Sequence, residues 1–143
     1  MSLEASLFQY LTAQAPIIAL IKKRMYPESA PKGACYPYLT YSTVFGKAEK
    51  HLGAASALSL TTIQLDCCGE TKKQAVELGE ALREELDGMR GATIGTTTTT
   101  VVESISIQST RDTIERPDSG QEQVKYIRQI DVDVWHVTTV PTF

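Results

Sequence analysis

The stretch Val124-Lys125-Tyr126-Ile127-Arg128-Gln129-Ile130-Asp131-Val132-Asp133-Val134-Trp135-His136-Val137 decides how this chain is read. Val124, Tyr126, Ile130, Val132 and Val134 fall at every second position, and Arg128 is the one break in that stripe. Lys125, Gln129, Asp131 and Asp133 take most of the alternate places. Successive side chains of a strand point to opposite faces, so the pattern predicts one long strand with a buried face. Ile127 and Trp135 are apolar residues on the polar side, which implies that this side is partly covered too. At about 3.3 Å per residue the stretch spans roughly 46 Å, far beyond the usual strand of about five to six residues. Such a strand either crosses a whole domain or projects from it as an arm.

Working upstream, Arg111 to Gln123 is polar and holds Pro117-Asp118-Ser119-Gly120, which reads as a turn. Val101 to Ser109, with Ile105 and Ile107 on one face, then forms a hairpin with the long strand. Before it, Met89 to Thr100 carries little to bury and ends in a run of threonines, so it is expected to be mobile. The strongest helical pattern precedes that segment. Thr71 is placed to cap, Gln74 stands three residues later, and Ala75, Leu78, Gly79, Leu82 and Leu86 make the buried stripe. Gly88 occupies the position where a helix commonly ends in a left-handed residue.

Leu58 to Cys68 alternates as a second strand, antiparallel to a first at Tyr38 to Phe45. Between them Gly46 to Ala57 reads as a second mobile loop. Three prolines and Gly33 make Tyr26 to Pro37 an extended connection. At the start, Leu3, Leu7 and Leu11 predict a helix over 2–13, and Pro16 opens a shorter one that ends by Met25. The order α-α-β-β-α-β-β predicts an α+β fold, an antiparallel sheet of about four strands with helices packed on one face. All 143 residues suit a single domain, 1–143, large enough to fold without a disulfide or metal.

Net charge is −3, and Lys22-Lys23-Arg24 is the only basic cluster. Cations are expected there at a helix C-terminus, and no clustered basic surface exists to displace counterions from nucleic acid. Neither a secretory signal nor a membrane span is legible, and three cysteines make no disulfide framework. A reducing, cytosolic place of folding is expected. Cys67 and Cys68 are neighbours on a strand and so face opposite ways, which excludes their sharing a tetrahedral metal site without distortion. The glycines follow no phosphate-loop spacing. Asp131 and Asp133 read as the solvated face of a strand. No catalytic, cofactor-binding or metal-binding residue is therefore expected. Glu103, Arg111 and Asp112 lie on or beside strands where ion pairs can join subunits. Trp135 lies opposite the main apolar stripe. These four are the candidate interface residues.

Several phrases and their order resemble the tail-completion, or tail-terminator, family of long-tailed bacteriophages and prophages. They are Arg24-Met25-Tyr26-Pro27, Pro31-Lys32-Gly33-Ala34, Pro37-Tyr38-Leu39-Thr40-Tyr41 and Gln64-Leu65-Asp66-Cys67. The helix Ala81 to Gly88 follows, then Arg111-Asp112 ahead of Pro117-Asp118, and finally the closing strand Ile130 to Trp135. The resemblance implies a non-enzymatic protein that forms a homo-oligomeric ring, typically a hexamer, on the end of the tail tube. The ring stops tube polymerisation and offers the surface that joins tail to head. Expected partners are further copies of itself, the tail tube protein and the head connector or neck protein. Neither a membrane nor a specific nucleic-acid sequence is expected as a partner. The expected location is the virion at the head–tail junction, with the host cytoplasm during assembly. The alternatives are another neck component, such as a head-completion adaptor or stopper, and a small cysteine-dependent enzyme using Cys35 or Cys67.

Overall fold

The computed structural model describes residues 3–31, 33–49, 56–96, 100–115 and 124–139. Along the chain lie α1 (Leu3–Leu11), α2 (Ala15–Ile21), β1 (Met25–Pro27), β2 (Tyr38–Glu49) and β3 (Ser56–Gly69). There follow α3 (Lys72–Leu86), β4 (Arg90–Ile94), β5 (Thr100–Glu115) and β6 (Lys125–Thr139). The six strands form one sheet in the order β1-β2-β3-β6-β5-β4. All pairs are antiparallel except β1 with β2, which is parallel.

The helices follow their sequence signals. Leu7 and Leu11 of α1 are fully buried, as are Ile17 and Ile21 of α2. Pro16 sits in the first turn of α2, where the missing N–H costs nothing. In α3 the Thr71 hydroxyl accepts the Gln74 amide at 3.2 Å, and Gln74 Oε1 accepts the Glu70 amide at 2.7 Å. Two otherwise orphaned donors are thereby satisfied. Gly88 ends the helix at φ +84° and donates its N–H to Ile105 O at 3.0 Å, tying the helix end to β5.

The long strand β6 is the central member of the sheet. It pairs with β3 from Gly69↔Tyr126 to Ser56↔Thr139, and with β5 from Glu115↔Lys125 to Val102↔His136. Ile130, Val132 and Val134 meet Leu65, Ile63 and Thr61 across that register, and the first five of these are core residues.

The expected four-stranded antiparallel sheet is wrong on two counts. The sheet has six strands and is mixed, because two short edge strands carry almost no signal of their own. In β1, Leu39 N donates to Arg24 O and Glu28 N to Tyr41 O, both at 2.9 Å, and these backbone bonds bracket the parallel pairing. Pro27 is tolerated because β1 is an edge strand. In β4 only Ile94 is buried, and pairing with β5 makes the strand. Further, the helices do not lie on a flat face. α1 touches both β2 and β4, which stand four strand steps apart, roughly 19 Å in a flat sheet. A helix about 10–12 Å across reaches both only if the sheet curls around it. Side chains fix that seat. Thr43 Oγ1 on β2 donates to Glu4 at 2.5 Å, Ser6 Oγ bonds Thr100 Oγ1 on β5 at 2.7 Å, and Thr96 N donates to Gln9 at 2.7 Å. Irregular registers at Thr43/Phe45, Val102/Ser104 and Ile107/Ser109 supply local twist for the curl.

Other boundaries shift for the same reason. Arg111 to Glu115, expected in a turn, continue β5 against β6, and 116–123 with the Pro117-Asp118-Ser119-Gly120 signal lie outside the described residues. The described residues of the two segments expected to be mobile are mostly strand. Gly46–Glu49 extend β2, Ser56 and Ala57 open β3, Arg90–Ile94 form β4, and 50–55 and 97–99 lie outside the described residues.

Candidate assembly surface

Opposite the helices, the sheet presents a polar ladder built by register. Asp66, Gln129 and Arg111 stand in one row across β3, β6 and β5; Gln64, Asp131 and Ser109 in the next; Thr62, Asp133 and Ser106 in the third. Each row is tied sideways. Gln129 Nε2 donates to Asp66 at 3.2 Å and Arg111 donates to Gln129 Oε1. Ser109 Oγ donates to Asp131 at 3.0 Å and Thr62 Oγ1 to Asp133 at 2.6 Å. Burial pushes the Asp66 carboxyl up, against the pull of its bonds to Gln129 and Gln64. Asp131 and Asp133 thus belong to a half-buried polar face, more enclosed than a fully solvated one.

A cleft of about 350 Å³ at one end of this face is lined by Glu28, Tyr38, Asp66, Cys68, Glu115 and Lys125. Lys125 Nζ donates to Tyr38 Oη at 3.3 Å and pairs with Glu115 at 3.5 Å. Burial pushes the Tyr38 hydroxyl up to about 12. The Lys–Tyr–Glu set is an ion-pair network without an activated nucleophile.

On the helix side Arg128 explains the break in the apolar stripe. It forks onto Asp112 at 2.8 and 3.1 Å and reaches Glu80 on α3 at 3.3 Å. The bond to Arg128 holds the Asp112 carboxyl below the usual range. Gly79 makes room for it, since a Cβ there would stand 2.5 Å from Arg128 Cδ. The pairing of a glycine in the α3 stripe with an arginine in the β6 stripe was the signal that sequence reasoning could have used.

The four candidate interface residues are not brought together. Glu103 is exposed beside the β5 irregularity. Arg111 and Asp112, adjacent on β5, face opposite sides, the first toward Gln129 and the second toward Arg128. Trp135 is half-buried on the polar face between Leu60 and Ser104.

The cysteines do not resemble a catalytic set. Cys67 is fully buried and Cys68 nearly so, on opposite faces as the alternation requires. Burial raises the Cys67 thiol well above its ordinary value and pushes Cys68 up to about 11. A nucleophilic thiol needs the reverse shift. Among the described residues no group of His, Cys, Asp and Glu side chains is arranged to hold a metal, and no helix is long and apolar enough to cross a membrane. In the native protein at neutral pH one thiol, the exposed Cys35, is expected to alkylate rapidly, with Cys67 and Cys68 reacting only after unfolding. Mass spectrometry after a short iodoacetamide pulse checks this, and rapid modification of Cys68 would contradict it.

No curated protein matches the chain. A chain from the virion of a native gene transfer agent particle shares the fold, with a TM-score of 0.61 and 17% identity over 94% of this chain and 95% of that one. A family model described as tail completion protein gp17 matches residues 5–135, nearly the whole of the curled sheet and its helices. The chain belongs to the tail completion protein family.

Proposed function

We propose that this virion tail protein caps the end of the tail tube, stops its polymerisation and forms the surface that joins tail to head. The family match over residues 5–135 carries the reading, and it supports a structural role in a phage tail. In this reading, copies form a ring, typically of six, between the tail tube protein and the head connector. The long polar sheet face suits that task, because a broad laterally bonded surface resists deformation without needing a pocket. In this reading Glu103, Arg111, Asp112 and Trp135 lie near the contacts. Asp112 in addition holds Arg128 in place.

Electron microscopy of tails made with and without the protein tests the proposal. Tubes of uncontrolled length that fail to join heads are expected in its absence. Tails of normal length that still join heads would overturn it, and the protein found on DNA-filled heads lacking tails would favour a neck adaptor or stopper. Trp135→Ala is expected to weaken association as well as folding, since truncating a buried aromatic costs roughly 3 kcal/mol or more and this one is only half enclosed by its own chain. A variant that assembles normally would remove Trp135 from the contact.

A further inference from the structure

We propose that neighbouring copies join by antiparallel pairing between the outer edge of β5 at 108–115 and the outer edge of β2 at 42–49 of the next copy. The inference rests on the ring reading above and says how the ring is made.

Both edges are open among the described residues. β4 pairs with β5 only as far as Ser104; Met89 O accepts Ile105 N at 3.0 Å, and Asp87 accepts Ile107 N at 3.3 Å. Beyond that point β5 is bonded on its β6 side alone, through Glu115↔Lys125. At the other side of the sheet β1 pairs with Leu39–Tyr41 only, and Glu28 N closes on Tyr41 O. From Ser42 to Glu49, β2 is bonded on its β3 side alone. An unpaired strand edge is a template for another chain, and edges not meant for one are blunted with proline, lysine or a covering element. Residues 108–115 hold neither proline nor lysine; residues 42–49 hold one lysine, Lys47, and the register irregularity at Thr43/Phe45, so the β5 edge is the less protected of the two.

Three features make each edge the other's match. First, among the described residues the large apolar side chains that remain exposed are Val44 at 53%, Val101 at 45% and Ile114 at 52%. Val44 lies on one open edge and Ile114 on the other. Secondly, β2 is antiparallel to β3, β3 to β6 and β6 to β5, so β5 runs opposite to β2. Copies related by rotation in a ring therefore present these edges antiparallel. Thirdly, the edges are staggered by a useful amount. The cross-strand row through Arg111 and Gln129 continues to Asp66 and Thr40. The middle of the β5 edge is thus level with Thr40, five to six residues from the middle of the β2 edge, or about 18 Å along the strand. In an antiparallel pairing of these edges the next copy is therefore shifted along the strands as well as sideways. A contact between two different surfaces of one chain closes into a ring when its rotation allows, whereas a self-complementary contact stops at a dimer.

Val44→Lys and Ile114→Lys each place a charge on one edge at an exposed position. Both variants are expected to keep the wild-type melting curve. Each protein is added to purified tail tubes lacking it, cross-linked, and read as a ladder of sizes. Wild type is expected to reach the full ring. Each variant alone is expected to associate at least about tenfold more weakly and to remain monomeric. A mixture of the two is expected to stop at dimers, because each partner retains one intact edge. Variants that form full ladders beside a full wild-type ladder would overturn the edge pairing and leave the ring reading standing. A wild-type protein that never exceeds a monomer on tubes would overturn the ring reading, and the pairing with it.

Discussion

Leu7→Ala should lower the unfolding free energy by about 3 kcal/mol, within the range of roughly 2–5 kcal/mol for truncating a buried leucine. At this chain length that corresponds to a fall in melting temperature of about 6–12 °C. Leu7 is fully buried although it belongs to a nine-residue helix near the start of the chain. A short terminal helix on an open face would collapse or fray around the missing atoms at small cost. Here α1 is held from both sides, by Glu4 to β2 and by Ser6 to β5, so the cavity cannot close easily. Leu20→Ala provides the contrast, since Leu20 is only partly buried against the core and should cost clearly less. Thermal and urea unfolding measure both. A Leu7→Ala loss below about 1 kcal/mol would mean that the sheet does not wrap α1 and that the end of the fold is loose.

Gly69→Ala should destabilise by about 2–3 kcal/mol, the upper part of the range for overpacking. The reason is space and not backbone torsion. A Cβ at position 69 would stand 2.8 Å from Ala75 N, 2.8 Å from Gln74 Cβ and 2.9 Å from Thr71 O. Two of those atoms are backbone in the first turn of α3, so the helix start must move. That movement strains the Thr71 cap and the Gly69↔Tyr126 pairing together. Gly79→Ala makes a sharp comparison. Its added Cβ meets the Arg128 side chain, which can swing, and alanine regains about 1 kcal/mol of helix propensity. Gly79→Ala should therefore lie well above Gly69→Ala in denaturation midpoint. Equal stability of Gly69→Ala and wild type would show that α3 begins further from β3.

The sequence by itself determined every element whose burial is periodic. The Leu3-Leu7-Leu11 spacing, the α3 stripe with its Thr71 cap and Gly88 stop, and the alternation in β3 and β6 each appear in the structure. The same alternation separated Cys67 from Cys68, and the ordered phrases pointed to the family that the chain matches. Tertiary structure alone decided the rest. β1 and β4 are edge strands held by backbone hydrogen bonds, which are indifferent to side-chain type and leave no period to read. Residues 111–115 are exposed, so nothing but pairing with β6 distinguishes them from a turn. The pairing of β6 with β3 joins segments separated by α3, β4 and β5, a choice that local pattern cannot express. Arg128 broke the stripe in sequence, but only the approach of α3 shows that Gly79 leaves it space and that Asp112 and Glu80 receive its charge. The four proposed interface residues scatter over both faces, because strand alternation gives a direction within one chain and carries no information on which surfaces meet another.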